Sequence, residues 1–449
     1  MNMFRKGTLA LCALLSLSFA VPAQQAKAEG FATPLESSAR GMALGGGLVA
    51  RGGDPSVIAF NPAAMTRLEG TQVQGNLAIT QMYWGVDMDK YNAQGVKEGR
   101  ENYHSAHQTW PIPSWYLTHQ YNDKLWLGIG QHTRFGLGVK YPNEWPGAAN
   151  LQSVQLITSS ISPTIAYKLT DKISIGVGAE VLYADMTMKK QLVGQGGSYF
   201  GYNVGDTNIN GQGFAFGGNI SLHAQLNDQW SVGFMYRAPM SLKVDGKARY
   251  DAGVIQAMGK IPGSGLDQAL IANGGKHNLR GTIHLPDSFA FGVAYKPIPT
   301  LSIEAGAVYT MWSRFEKFNM YMEYPLSTTK ASTRQWRNSW AFNISAEWWA
   351  YDWMALRVGF VYDRSPMNSG NADFMMPSNC RNYYTCGLGF KWNNWTLDLS
   401  YMYAHNHMLD YSSSTQEGVN YKNGNGYYKA AGTTHPHAHN FGIGIGYKF

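Results

Sequence analysis

The chain has 449 residues, a formal net charge of +7, and 14% charged and 13% aromatic residues. A mild positive excess without a Lys/Arg run gives no reason to expect nucleic-acid binding. Beyond residue 28, no apolar run approaches the roughly 20 residues that a membrane helix needs. The 14 Trp and 27 Tyr favour a membrane β-barrel over a soluble β-protein, because both side chains concentrate at membrane interfaces.

The first 28 residues have the pattern of a secretory signal peptide. Arg5 and Lys6 precede an apolar stretch over 9–21, and 26–28 reads Ala-Lys-Ala, a small-x-small cleavage site. Such a segment is too short for a membrane helix and is removed on export. We therefore expect the mature chain to begin near Glu29.

Residues 29–70 are rich in Gly, contain Pro55 and Pro62, and lack the alternation of a strand. We expect this segment to be a plug inside the barrel formed by 71–449. The physical reason is that a barrel of about fourteen strands has a lumen wider than its own side chains can fill.

From residue 71 onward, alternating segments are joined by short turns and long loops in strict succession. The short turns lie at 122–123, 170–171, 227–228, 297–299, 351–352 and 393–394. The long loops lie near 88–107, 140–151, 191–210, 251–279, 319–333, 364–381 and 411–433. This asymmetry is typical of periplasmic turns and extracellular loops. It predicts an all-β fold, an antiparallel transmembrane barrel of about fourteen strands with both ends in the periplasm of an outer membrane.

The strands carry one apolar and one polar face. In 173–183, apolar residues occupy every second position, and Ser, Gly and Glu180 lie between them; the apolar set would face lipid and the other set the lumen. Five ionisable residues fall on lumen positions: Glu180, Glu304, Glu347, Arg357 and Asp398. We expect a polar network that braces plug to wall, and no enzyme, because no cleft, Gly-x-Ser-x-Gly elbow or His-Glu-x-x-His motif marks a catalytic site. A barrel-surface esterase remains an alternative, and no cofactor is expected.

The last strand alternates from Phe441 to a terminal Phe449, which resembles the signal that outer-membrane assembly machinery recognises. If Trp395 pairs with Phe449, antiparallel register places His405 opposite His439 and His407 opposite His437. Such outward pairs could bind a transition metal, attract lipopolysaccharide phosphates, or have no special chemistry.

Two cysteines, Cys380 and Cys386, remain after cleavage of the signal peptide. In extended backbone they would lie about 20 Å apart, which is too far for a disulfide. A bridge requires the loop to fold back, and both possibilities stay open.

Five short motifs, in this order, resemble those of the FadL/TodX long-chain fatty acid and hydrocarbon transporter family. They are 30–31 with Ser37-Ser38-Ala39-Arg40-Gly41-Met42-Ala43, Asn61-Pro62-Ala63-Ala64-Met65, Leu285-Pro286-Asp287-Ser288 with Gly292-Val293-Ala294-Tyr295, Trp312-Ser313-x-Phe315, and Leu356-Arg357-Val358-Gly359-x-x-Tyr362-Asp363-x-Ser365-Pro366. The resemblance covers essentially the whole mature chain.

The resemblance implies passive uptake of hydrophobic molecules through an extracellular groove, a pocket beside the plug and a sideways exit at a kink in the third strand. The implied plug and pocket residues are Phe31, Asn61, Pro62 and Ala63. The implied kink residues are Phe135, Gly136, Leu137 and Gly138, and the groove residues are Ile255, Met258, Leu266, Leu270 and Ile271. Each set also has a plain structural explanation: an anchor or an Asn-Pro turn, one more glycine-containing strand, and a loop that packs its own core.

The expected ligands are long-chain fatty acids, with aromatic hydrocarbons of the toluene type as the alternative. A general porin is a third possibility, against which the plug argues. The other expected partners are outer-membrane lipids, including lipopolysaccharide, and the assembly machinery. The chain is expected to act as a monomer and to bind no nucleic acid.

Overall fold

The computed structural model describes residues 35–193, 203–251, 253–254, 272–323, 328–367, 369–375, 379–412, 414, 420–421 and 426–449. The signal peptide, Phe31 and the five groove residues Ile255, Met258, Leu266, Leu270 and Ile271 lie outside these ranges. Within them, the architecture is a ring of fourteen antiparallel strands, as predicted.

The fourteen strands are numbered in chain order. Seven are single segments, six are formed by two segments each, and the last is a long segment with a short pair beside it. The first seven are β1 (Thr71–Asn92), β2 (Lys97–His104 and Gln108–Gln120), β3 (Leu125–His132 and Gly136–Lys140), β4 (Ser153–Lys168), β5 (Ile173–Val193), β6 (Asn203–Gln225) and β7 (Trp230–Arg237 and Met240–Tyr250). The other seven are β8 (Lys276–Leu285 and Ser288–Ile298), β9 (Leu301–Thr310 and Lys317–Met322), β10 (Thr328–Thr333 and Ser339–Tyr351), β11 (Met354–Asp363), β12 (Arg381–Trp392), β13 (Trp395–Asn406) and β14 (Gly426–Lys448, with Asn420–Tyr421 beside it).

Helical structure in the described residues is confined to short pieces. Two α-helices, α1 (Ala39–Ala43) and α2 (Val57–Phe60), and the 3₁₀ turns Leu35–Ser37 and Pro62–Arg67 precede β1. Further 3₁₀ turns lie in the outer loops at Pro146–Ala149, Trp312–Arg314 and Ser369–Asn371. None of the helices in the described ranges combines the length and the apolar character needed to cross a membrane.

The ring closes because the first strand pairs with the last. β1 pairs with β14 from Gln72 opposite Lys448 to Asn92 opposite Gly426, and with β2 on its other side. Closure at this seam pairs the first strand with the last, as hydrocarbon surroundings favour, since an unpaired backbone N–H or C=O is costly there.

Alternation follows the predicted faces. On β5, Val177 is 56% exposed on the outer surface, whereas Glu180 is 1% exposed on the inner one. The inner face carries Ser174, Gly176 and Gly178, and a side chain at Gly176 would meet the backbone of Pro62 and Ala63 in the N-terminal segment.

The predicted register of the closing strand is wrong by two residues. Trp395 pairs with Tyr447, not with Phe449, so His405 lies opposite His437 and Tyr403 opposite His439. Phe449 lies one residue beyond β14 and donates its backbone N–H to Thr71 O at 2.9 Å. The terminal residue therefore bonds to β1 at the seam. The alternation within β13 and β14, on which the prediction rested, carries no information about that bond.

Two predicted loops are largely strand. The region 88–107 forms a hairpin in which β1 and β2 continue to a turn at 93–96, and β5 and β6 likewise extend to Val193 and from Asn203. These strands project beyond the apolar band, so their outer ends are polar and lack the apolar-polar alternation that the prediction used.

The N-terminal segment 35–70 lies inside the ring. α1 packs against β11, β12, β13, β14 and β1, and the turn Pro62–Arg67 packs against β3, β4, β5 and β6. Its apolar side chains, including Leu44, Leu48 and Ile58, are fully buried. Contacts with opposite sides of the ring place the segment across the lumen.

Candidate functional site

A cavity of about 180 Å³ lies between the N-terminal segment and one side of the barrel wall. The segment contributes Leu35, Glu36 and Phe60, and the wall contributes side chains from β3 and from β7 to β12. Its apolar wall residues include Phe135, Met235, Val308, Trp312, Trp336, Val361, Met367 and Tyr383. Such a mainly apolar surface with a few polar groups suits a hydrophobic ligand.

The β3 wall of the cavity contains a bulge. His132 pairs with Ser160 and Gly136 pairs with Ile157, so three residues of β3 (133–135) face two residues of β4 (158–159). One extra residue bends a strand and interrupts its pairing. Beyond the bulge, 136–139 are buried on both faces, unlike the alternating segment Leu125–His132. The outer half of β3 has therefore bent out of the plane of the wall.

The bend opens a gap in the hydrogen-bonded wall. β2 pairs with β3 only from Trp115 opposite Gln131 to Gln120 opposite Trp126. In the described pairings, residues 108–114 of β2 pair with β1 alone. The two strands meet again at the outer end, where Ala106 N donates to Lys140 O at 2.8 Å. The gap thus lies beside the cavity residues of the bulge and is bounded at both ends.

Two arginines share one carboxylate at the cavity. Arg134 Nη1 and Arg237 Nη1 each lie 3.3 Å from Glu180 Oε2. Their second nitrogens donate to backbone carbonyls, Arg134 to Pro286 at 3.1 Å and Arg237 to Ala59 at 2.6 Å. The three charges sum to +1 in a buried place, where an anion would find charge-assisted hydrogen bonds.

Further polar groups line the same cavity. His132 is 2% exposed, and neither ring nitrogen has a hydrogen-bond partner among the described residues. Opposite it, burial raises the pKa of the Glu36 carboxyl to about 7, because the charged form is poorly solvated there. Glu36 belongs to the N-terminal segment, so the charge in the cavity depends on pH through a residue outside the wall.

A second set of charges fastens the N-terminal segment to the wall. Glu347 accepts from Arg40 Nε and from Arg357 Nε, both at 2.8 Å, and Arg357 Nη1 lies 2.5 Å from Asp398. Arg40 also pairs with Asp54 at 2.9 Å. All these side chains lie inside the barrel, so each buried charge has an opposite partner, as low-dielectric surroundings require.

Glu304 holds the segment in a different way. Its carboxylate accepts three consecutive backbone N–H groups, from Val49 at 2.9 Å, Ala50 at 3.2 Å and Arg51 at 2.7 Å. The Arg51 side chain in turn donates to Ser302 Oγ at 2.9 Å. The carboxylate satisfies backbone donors that would otherwise be buried without partners. Neither this arrangement nor the Glu347 network contains a nucleophile with an adjacent base.

Comparison with known proteins identifies the family. Residues 19–449 match the family model described as outer membrane protein transport protein (OMPP1/FadL/TodX). The chain belongs to this family. It is a transport protein of the bacterial outer membrane and not an enzyme.

Relatives of this OMPP1/FadL/TodX member cover most of its length. It is 23% identical over 439 residues to outer membrane protein P1 of Haemophilus influenzae (88% of this chain and 89% of the relative). It is 22% identical over 426 residues to the long-chain fatty acid transport protein of an Escherichia coli O6:H1 strain (90% and 93%).

Solved structures share the fold. A Pseudomonas aeruginosa FadL homologue superposes with a TM-score of 0.78 at 20% identity, over 94% of this chain and 100% of that one. The Pseudomonas putida toluene transporter TodX gives 0.67 at 15% identity, over 92% and 99%. These two structures support the fourteen-strand barrel of the family member described above.

The predicted site residues of the FadL/TodX member lie in two different settings. Phe135 lines the cavity and lies in the bulge, and Gly136, Leu137 and Gly138 follow directly in the bent segment. Asn61, Pro62 and Ala63 do not line the cavity. Asn61 Nδ2 donates to Val49 O at 2.6 Å and to Leu222 O at 3.0 Å, and its Oδ1 accepts from Ala63 N at 3.1 Å. Asn61 thus ties the segment to itself and to β6.

The ionisable lumen residues also divide into two groups. Glu304, Glu347, Arg357 and Asp398 form the bracing contacts described above, whereas Glu180 lies at the cavity. Cys380 and Cys386 are both free thiols, and no disulfide joins them. In the described part of the chain, no group of three or more His, Cys, Asp or Glu is arranged to hold a metal ion.

Arg134 and Arg237 were missed by the sequence analysis. Arg134 carries a usable signal, since an arginine beside Phe135-Gly136 in a barrel strand must face the lumen or interrupt the apolar surface. The sequence signal for Arg237 is weaker, because this residue ends the inner segment Trp230–Arg237, where β7 is interrupted. Only folding brings both to Glu180, 46 and 57 residues away in sequence.

Proposed function

We propose that this outer-membrane protein carries long-chain fatty acids inward by passive diffusion. The observation that carries the proposal is the cavity, in which an apolar wall adjoins Arg134 and Arg237 with a single shared carboxylate on Glu180. An alkyl chain would lie along the apolar wall, and its carboxylate would approach the two guanidinium groups. The relative named a long-chain fatty acid transport protein is consistent with this ligand.

The route has three stages. The ligand is first captured by a groove in the outer loops that includes Ile255, Met258, Leu266, Leu270 and Ile271, then enters the cavity, where residue 31 of the plug would contact it. It leaves through the gap between β2 and the bent half of β3 into the bilayer. Because each buried methylene gains roughly 0.8 kcal/mol, a path that keeps the chain out of water needs no energy source.

In this proposal the segment from residue 29 to 70 is a plug. It occupies the lumen across which it packs and borders the cavity beside the bulge, so a hydrophobic ligand is directed sideways and the passage of water-soluble solutes is obstructed. The bracing contacts of Arg40 with Glu347 and of Glu304 with 49–51 support this role, because they hold the segment to the wall.

Aromatic hydrocarbons are the second candidate ligands. Trp312 and Trp336 meet edge to face at 4.9 Å in the cavity wall, and this surface suits a flat apolar ring. The toluene transporters among the structural neighbours are consistent with it. A neutral hydrocarbon, however, makes no use of Arg134 and Arg237.

Binding measurements separate the two ligands. Oleate, oleyl alcohol and toluene are titrated into the full-length protein in detergent, with Arg237→Gln as the test variant. We expect oleate to bind wild type at least about tenfold more tightly than the variant, since losing one charge-assisted hydrogen bond costs roughly 1.5 kcal/mol or more. Oleyl alcohol should bind both alike.

The control is Arg280→Gln, which removes an exposed arginine paired with Glu323 at the outer surface. It should leave oleate affinity unchanged. Equal oleate affinity of Arg237→Gln and wild type, or tighter binding of toluene than of oleate by wild type, would contradict the fatty-acid proposal and favour the hydrocarbon one.

A further inference from the structure

An outward-facing patch of histidine and tyrosine rings crosses the closing seam of the barrel. We define the His–Tyr patch as His405, His407, His437, His439, Tyr83 and Tyr403. It spans β13, β14 and β1, with His405 opposite His437 and with His437 opposite Tyr83. The residues between them in sequence, such as Ala404 and Ala438, are buried on the inner face.

The patch lies at the outer edge of the apolar band. Trp395 and Tyr447, with rings 4.7 Å apart, mark the inner edge on the same two strands. His405 follows Trp395 by ten residues, which at about 3.3 Å per residue and a tilt of about 40° is a height of roughly 25 Å. That is the height of the apolar band of an outer-membrane barrel. The patch is therefore level with the headgroups of the outer leaflet.

Contacts within the patch fix the rings. His437 stacks on Tyr83 at 5.1 Å with an interplanar angle of 17°, and Tyr403 lies 5.3 Å from His439. Nδ1 of His437 lies 2.8 Å from His435 O, and Nδ1 of His439 lies 2.8 Å from Tyr401 Oη. In His437 and His439, whose Nδ1 atoms have these partners, Nε2 is the nitrogen that points away from them and can meet a ligand.

The acidic side chain nearest the patch already has partners. On β1, Asp87 accepts from Asn102 at 2.8 Å and has Arg100 within 4.0 Å. The other groups beside the patch on neighbouring strands are Asn382 and Tyr384 on β12, Tyr401 on β13, His435 on β14, Gln81 on β1, His104 on β2, and His107 between the two segments of β2. Histidine gains positive charge between pH 8 and pH 5, and Tyr83 presents a stacked ring face to one of these histidines, His437.

We infer that the His–Tyr patch is a docking surface for the phosphate-bearing headgroup of a lipid in the outer leaflet of the outer membrane. Protonated histidines donate to phosphate oxygens through Nε2, and the apolar band below, with Phe441, Ile443 and Ile445 exposed, receives the acyl chains. The barrel thus holds a lipid at the seam where β1 and β14 close the ring. Binding strengthens as the pH falls.

The test counts bound lipid on the full-length protein by native mass spectrometry, with bis-phosphoryl lipid A as ligand at pH 6 and pH 8. The variant is His405→Gln/His437→Gln/His439→Gln. We expect wild type to bind about tenfold more tightly at pH 6 than at pH 8, because charge-assisted hydrogen bonds form only with protonated histidine. The variant should bind at both pH values as wild type does at pH 8.

The matched control is His119→Gln/His284→Gln, which removes two exposed histidines on other parts of the barrel and should behave as wild type. Dephosphorylated lipid A should lose the pH dependence, and inorganic phosphate alone should not be retained. Retention of the pH-dependent affinity by the triple variant, equal binding of dephosphorylated lipid A, or retention of inorganic phosphate alone would overturn the inference. Heat-modifiable gel mobility verifies that each variant is folded.

Discussion

A single side chain of the N-terminal segment sets the charge of the cavity. Glu36 lines the cavity, and burial raises the pKa of its carboxyl to about 7. Below the ordinary pKa of a glutamate, the group is neutral whether the chain is folded or unfolded, so it has no effect on stability. As the pH rises from 4.5 to about 7, the unfolded chain releases this proton while the folded chain keeps it, so stability falls; above about 7 both states are ionised and the loss stays constant.

The raised pKa of the Glu36 carboxyl predicts that the affinity of the cavity for anions depends on pH. A ligand that stays ionised, such as decanesulfonate, should bind wild type more weakly at pH 8 than at pH 6, because ionised Glu36 repels it. Glu36→Gln should remove most of that difference and bind at pH 8 about tenfold more tightly than wild type, since a buried like charge costs more than 1 kcal/mol. Fluorescence titration at both pH values measures the two affinities.

Glu316→Gln is the control, because it neutralises an exposed carboxylate and should keep the wild-type profile. If Glu36→Gln showed the same pH dependence as wild type, the change would belong to another group at the cavity and the assignment to Glu36 would be wrong.

At the scale of one strand, the bulge in β3 determines whether the wall is open or closed. Residues 133–135 face only two residues of β4, and the strand leaves the wall after them. Deletion of Phe135 restores one-to-one pairing with β4. It also keeps Arg134 opposite Thr158 on the inner face, so the arginine remains available.

The deletion predicts a separation of binding from transport. With the bulge removed, the outer half of β3 should return to the plane of the wall beside 108–114 of β2. Pro111 and Pro113 have no N–H to donate, so the gap should narrow through side-chain packing with few new backbone hydrogen bonds. We expect uptake of radiolabelled oleate by cells to fall at least about tenfold, because the bend that opens the wall is gone. Oleate binding to purified protein should fall far less.

Deletion of Gln94, an exposed residue in the turn between β1 and β2, is the matched control and should leave uptake unchanged. Normal uptake by the protein without Phe135, at normal abundance in the outer membrane, would mean that the ligand leaves by another route.

At the scale of the whole molecule, the N-terminal segment and the ring of strands depend on each other. The wall supplies Glu304, whose carboxylate accepts the backbone N–H groups of 49–51, and Glu347, which pairs with Arg40 of the segment as well as with Arg357 of the wall. The ring itself is closed by backbone hydrogen bonds from β1 to β14. The barrel should therefore form without the segment, but with a wide and polar lumen.

Removal of residues 35–68 should convert the protein into an ion-conducting pore. A fourteen-strand barrel is wider than its own side chains can fill, so water and ions should enter the emptied lumen. In planar bilayers we expect the deletion variant to show steps of conductance at least about tenfold larger than those of wild type. The wild-type conductance should be low because the segment fills the lumen. A wild-type protein that conducts as strongly as the variant would contradict the plug and favour a general porin.

The sequence by itself determined the class of fold, because lipid and lumen impose a period of two on every strand and turn signals divide the chain. It also supplied the family resemblance and the inward positions of Glu304, Glu347, Arg357 and Asp398. Local patterns could not give the register at the seam, since Phe449 bonds to β1. They also could not show that strands continue beyond the apolar band.

Only the tertiary structure decided what the polar residues do. Asn61 could be a turn or a ligand contact by sequence, and the fold makes it a tie to β6. Arg134, Arg237 and Glu180 come together from three strands, and the bulge exists only as a mismatch between β3 and β4. Charge pairing and strand mismatch are relations between distant parts of the chain, so folding, and not any local stretch, creates the cavity and its opening.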